Sequence, residues 1–161
     1  MIKVVGIDPG LAGTGIGVIE GNKKEILGYS FGSISTNAKD PIHLRLYTIY
    51  SKILAFLCEK KPDRVVIEDI YSLEKHPGSG IMLGKVSGVL LVAAYNAGLD
   101  VEEIPVREVK KIICGNGRAD KHQMERAVRH LLKHKEPIRP FHASDALGLA
   151  LTGYYRYKGM L

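Results

Sequence analysis

Cysteine is scarce in this chain: only Cys58 and Cys114 occur among 161 residues. Two lone thiols, far apart and without a partner motif, exclude a disulfide framework and a thiolate metal cluster. Cys58 falls within an amphipathic helical pattern and reads as a small apolar residue, and a reducing, cytoplasmic setting is the default expectation. The N-terminus has no basic region followed by an apolar run and a small-residue cleavage site; it reads directly as a strand, so no secretion signal is expected. Long apolar runs are also missing. The most apolar stretch, residues 86–95, is short and interrupted by Gly and Ser, so no membrane span is expected. Repeats and low-complexity segments are absent too, which leaves a single domain over residues 1–161.

Acidic residues thin out toward the C-terminus. The net charge is +6, but residues 1–104 hold 11 Lys/Arg against 12 Asp/Glu, whereas residues 105–161 hold 12 against 5. Four of the six histidines fall in that last third. A basic third beside a neutral two-thirds suits a polyanion surface, and equally the solvated faces of ordinary helices.

Hydrophobic periodicity supplies the elements. Residues 2–8 form a buried strand ending on Asp8, and the Pro9-Gly10 turn leads to a strand over 14–19. After the Gly21-Asn22 turn, residues 25–34 complete an antiparallel meander. A helix is expected over 41–60, with Leu44, Tyr47, Tyr50, Ile53, Leu54 and Leu57 as its apolar stripe. A strand over 64–68 ends on Glu68, and residues 72–80 read as a loop. An apolar helix over 81–97 precedes a strand at 101–104, and helices follow over 105–113, 120–134 and 143–157. Three hairpin-linked strands followed by strand–helix alternation give an α/β domain: one mixed five-stranded sheet flanked by helices.

Asp8 and Glu68 each end a short buried strand. If those strands are neighbours, their carboxylates emerge together and repel unless a cation neutralises them. Oxygen ligands without thiolates point to Mg²⁺ or Mn²⁺. Taken singly, each acid reads better as a strand-end residue facing water. His142 and Asp145 lie three apart at a helix start and share a face, although an acid there also suits the helix dipole. Gly13, Gly15 and Gly17 lead into a strand, which excludes the Rossmann fingerprint, and no Walker Gly-Lys-Ser/Thr follows. Small residues here are expected to let a nucleic-acid backbone approach Asp8. The Asp-x-Gly turn also admits a phosphotransferase lobe of the actin-like type, for which the chain lacks a second lobe. A non-catalytic binding module is a third reading, and the presence of Asp8, Glu68, His142 and Asp145 together argues against it.

Taken together, these segments resemble the RuvC family of bacterial Holliday-junction resolvases, which have a ribonuclease-H-like fold. The resemblance rests on Gly6-Ile7-Asp8-Pro9-Gly10 with Thr14-Gly15, on Val66-Ile67-Glu68, and on Gly84-Lys85-Val86-Ser87-Gly88-Val89. It continues through Pro105 to Val109-Lys110, then Gly115-Asn116-Gly117-Arg118-Ala119-Asp120-Lys121 with Gln123, and His142-Ala143-Ser144-Asp145-Ala146-Leu147. It implies a Mg²⁺-dependent crossover junction endodeoxyribonuclease, a homodimer that nicks two strands of a four-way DNA junction symmetrically in recombination and repair. The metal site would fall on Asp8, Glu68, His142 and Asp145, with two Mg²⁺ (or Mn²⁺) roughly 4 Å apart. His142 would ligate an ion or orient the water. Tyr71, Lys110, Arg118 and Lys121 would contact DNA, Tyr71 standing where the family can carry Phe. A RuvA–RuvB branch-migration complex is the implied partner. Asp69 departs from the Gln common beside the strand-end acid, and strand alternation should turn it to the opposite face. Gly84 and Gly88 could permit close helix packing at a dimer interface, and core packing explains them as well.

Overall fold

Val4 and Val5, adjacent in the first strand, are both fully buried but in different cores, because successive side chains leave a strand on opposite faces. That division organises the whole molecule. The computed structural model describes residues 1–70 and 77–159; Tyr71 lies outside the described residues. Strands β1 (Ile2–Asp8), β2 (Gly13–Gly21), β3 (Ile26–Ser35), β4 (Arg64–Asp69) and β5 (Val101–Pro105) form one sheet in the order β3-β2-β1-β4-β5. The β1–β2 and β2–β3 pairs are antiparallel, and the β1–β4 and β4–β5 pairs are parallel. This is the expected mixed five-stranded sheet.

On one face lie α1 (Ile42–Lys60) and α2 (Pro77–Asn96); on the other lie α3 (Val106–Cys114), α4 (Lys121–Leu131) and α5 (Phe141–Lys158). The core of the α1–α2 side gathers Val5, Ile7, Val65 and Ile67 with Ile49, Ile53, Leu57 and Leu90. The α5 side gathers Val4, Val66 and Ile104 with Leu147, Leu151 and Tyr154. In α1 the buried stripe is Ile49, Ile53 and Leu57, at i, i+4 and i+8. Of the expected stripe, Leu44 and Tyr47 are instead exposed, at 43% and 65%.

Two boundaries differ from the sequence expectation. Residues 77–80, expected as loop, begin α2; Pro is compatible with the first helical position because its missing N–H has no intrahelical partner there. Helix α4 stops at Leu131, short of 134, since Lys133 adopts a left-handed backbone with φ of 51°. The apolar helix is also longer than expected. Gly78–Asn96 spans 19 residues at mean hydropathy 1.4, long and apolar enough by composition to cross a bilayer, which the ten-residue stretch did not suggest. In this fold its Val86, Leu90, Ala93 and Ala94 are sealed into the core beside α1.

Candidate active site

Glu68 and Asp8 come together because β1 and β4 run parallel in register, with Ile7 opposite Ile67. Alternation from Val4 and Val66 puts both carboxylates on the α5 face, and the same alternation turns Asp69 to the α1–α2 face, as expected. The third acid arrives on α5, which lies across β1 and β2.

The closeness of α5 explains the glycines. A β-carbon at Gly15 would sit 1.9 Å from the His142 carbonyl oxygen, one at Gly6 2.1 Å from that of Ala146, and one at Gly17 2.5 Å from the Leu147 nitrogen. At Gly13 it would sit 2.7 Å from His142 Nε2. These residues therefore form a trough for the backbone of α5. The sequence expectation that they admit a nucleic-acid backbone is corrected: the helix already fills that space. His142 thus stands over Gly13, one turn before Asp145, and forms no ion pair with the acids among the described residues.

Burial, then the charges of Glu68 and Asp145, hold the Asp8 carboxyl well above the usual carboxylate range, and Asp8 donates a hydrogen bond to Glu68. Burial also raises Glu68, opposed by that hydrogen bond and by Lys110. Asp145 is pushed up to about 6 by burial, with Lys110 pulling the other way. Three acids and one lysine thus share a half-closed space with an excess of negative charge. Among the described residues, no three such side chains yet close on a common point as a finished metal cage. Their chemistry nevertheless fits a hard divalent cation, which would replace protons and relieve the repulsion.

Lys121 opens α4, whose N-terminus is fixed by a reciprocal capping box: Asp120 accepts from His122 and Gln123 N–H, and Gln123 closes back onto the Asp120 N–H. Gln123, part of the sequence motif, therefore has a structural task. Arg118 sits exposed in the preceding turn, where its N–H bonds Asn116 Oδ1 at 3.0 Å. Sequence patterning does not single out Phe141 or Arg139. The Lys121 ammonium lies 5.0 Å from the Phe141 ring centroid, the Arg139 guanidinium 4.1 Å, and His122 meets the same ring edge-on at 4.9 Å. Phe141 thus gathers three basic side chains immediately before His142. The sequence signal was an aromatic residue between two basic segments, which spacing alone cannot resolve.

The sequence profile of the RuvC family, crossover junction endodeoxyribonuclease, matches residues 4–153. The chain belongs to the RuvC family. The RuvC of Prosthecochloris aestuarii is 36% identical over 148 residues, covering 92% of this chain and 79% of that protein. That of Carboxydothermus hydrogenoformans is 35% identical over 162 residues, covering 99% and 100%. The Thermus thermophilus RuvC, solved in complex with a Holliday junction substrate, superposes with a TM-score of 0.86 at 31% identity, over 99% of this chain and 97% of that one. The sheet order and helix layers described above are accordingly a ribonuclease-H-like α/β fold. Family membership makes the chain a crossover junction endodeoxyribonuclease, an enzyme of DNA recombination and repair.

Proposed function

We propose that this chain resolves Holliday junctions by metal-dependent phosphodiester hydrolysis, with Asp8, Glu68, Asp145 and His142 as the metal site. One observation carries the reading: three acids from distant parts of the chain come together on one sheet face, close enough for their charges to raise one another's carboxyls. Mg²⁺ is the proposed ion, two per site, with Mn²⁺ able to substitute. When bound, such ions supply activation of the attacking water and charge neutralisation at the leaving 3′ oxygen. The chain's own residues do the placing. Asp8, the most deeply buried of the three acids, would bridge the ions, and Glu68 and Asp145 would complete their shells. His142, held by its contact with Gly13, ligates an ion or orients the water. Lys110, Arg118 and Lys121, together with Tyr71, hold the DNA.

The junction itself enters through the T. thermophilus protein, whose structure contains that substrate. Two sites at a fixed separation suit a four-way junction, and the proposed homodimer supplies them. Its support is the outer face of α2, where Ile81, Val92 and Tyr95 are 62%, 52% and 81% exposed. A β-carbon added at Gly84 or Gly88 would meet nothing within 4 Å among the described residues, so packing among these does not account for the two glycines. A RuvA–RuvB branch-migration complex is the proposed partner, in the cytoplasm. The deciding experiment incubates the protein with a synthetic four-way junction and with linear duplex of the same sequence, in Mg²⁺, in Mn²⁺ and in chelator. Paired symmetric nicks in the junction alone, lost in chelator, are expected. Equal cutting of the duplex would leave a general nuclease.

A further inference from the structure

The buried side of α4 is Met124, Glu125 and Val128. Its opposite side presents His122, Arg126, Arg129, His130 and, just past the helix end, Lys133, at spacings that keep them on one face. We propose that this face is a second DNA-contact surface, which holds a duplex arm as it leaves the cutting site; the proposal rests on the junction-resolving reading above.

Three observations carry it. First, positive charge dominates, although the Asp120 carboxylate lies near enough to act on His122 and Arg126. Glu125 is buried, accepts the Ile138 N–H, and lies 3.0 Å from Arg129 Nε; Asp120 is engaged in capping. Among the described residues, no carboxylate pairs with Arg126 or Lys133. Second, the surface is concave. Arg126, Arg129, His130, Lys133 and His134 line a cleft of about 570 Å³, and His134 is anchored there by a 2.7 Å hydrogen bond between Nδ1 and the Tyr29 hydroxyl. Third, the stripe is continuous with the site: its first member, His122, rests against Phe141, the neighbour of His142. Its length also fits. Eleven residues at 1.5 Å rise span about 16 Å, which equals about five base pairs at 3.4 Å each. The cations are therefore placed to meet several successive backbone phosphates and to read no base.

The test uses Arg126→Gln with Lys133→Asn, both at exposed positions; Asn tolerates the left-handed backbone at 133. Junction affinity and hydroxyl-radical footprints are measured in an Asp8→Asn background, so that the substrate survives. The paired variant is expected to bind about tenfold more weakly. Its log Kd against log salt slope should fall by about two, one for each lost phosphate contact. Protection should vanish on arm phosphates away from the branch while persisting at the branch point. With Asp8 restored, the cutting rate at saturating junction should be unchanged. An unaltered footprint and slope would overturn the proposal and leave the stripe to an acidic protein surface. Loss of protection at the branch point as well would overturn it too, placing the effect in the site. A wild-type chain that cuts no junction would remove the functional reading first, and this surface with it.

Discussion

Asp8 and Glu68, sixty residues apart in sequence, stand at the same edge of parallel neighbouring strands in register, each carboxyl raised by burial and by neighbouring acids. A carboxyl pair held this way is poised to exchange protons for a cation. Mg²⁺ or Mn²⁺ should therefore raise the melting temperature at neutral pH, because binding to the folded state alone stabilises it. At about pH 4 the acids are protonated, and the same ions should do nothing. Differential scanning fluorimetry at the two pH values checks this; equal shifts at both would place the ions elsewhere.

Replacing Asp8 with Asn keeps the shape of the site and removes one charge. Junction nicking should fall on the order of 10³-fold or more, the loss expected when several kcal/mol of metal-mediated stabilisation goes. Junction affinity should remain within a few-fold of wild type. A mobility-shift assay beside a nicking assay separates the two, and a variant that still cuts at a tenth of the normal rate would remove Asp8 from the metal site.

Asp145 carries a stability signature of its own. Its carboxyl is raised to about 6 in the folded chain, against about 3.9 when unfolded. Between those values the folded state binds more protons than the unfolded one. Stability from this group is thus present at low pH and falls as pH rises through 4 to 6, by on the order of 2–3 kcal/mol at most. In chelator at neutral pH, Asp145→Asn should melt several degrees above wild type, and with Mg²⁺ restored it should not cut. Thermal melts across that pH range would show the difference closing at the acid end; a variant that melts lower throughout would contradict it.

Gly15→Ala tests the trough. Its added carbon meets a backbone carbonyl of α5, not a movable side-chain tip, so the helix must shift and carry His142 and Asp145 with it. A loss of about 1–3 kcal/mol in stability is expected from overpacking, with a disproportionate loss of nicking. Gly28→Ala, with open space around the new carbon, serves as the control in denaturant titrations.

Gly88→Glu addresses association. The position is exposed and roomy within the chain, so the fold should tolerate it, whereas a charge on the apolar outer face of α2 should oppose self-pairing. Sedimentation velocity is expected to show a dimer for wild type and a monomer for the variant. A monomeric wild type would end the dimer proposal.

Much of this fold is legible in the residues. Strand runs such as Val4–Ile7 and Val65–Ile67, each ending on an acid, announce both the sheet and two of its chemical groups. Spacing also places His142 and Asp145 on one helical face. What escapes is depth and orientation. The Gly13–Gly17 series has the same appearance whether it faces a nucleic acid or a helix, and only the close approach of α5 decides. Leu44 and Tyr47 fit a helical stripe but stand outside the core, because periodicity records a face without saying what covers it. The Phe141 cluster is equally silent: it joins α4, the 139–140 segment and α5, which only the tertiary fold brings together.

Helix α5 follows all five strands in chain order, and it is the wall against which β1 and β2 lay their glycine-lined face. During synthesis, the first strands and both early acids leave the ribosome long before residues 141–158 exist. Until then the sheet lacks one of its two covers, and the acid cluster lacks its third member. Completion of the core and of the cutting centre therefore coincide with the making of α5. A chain without residues 141–158 thus lacks both the third acid and the helix that covers the glycine-lined face of β1 and β2.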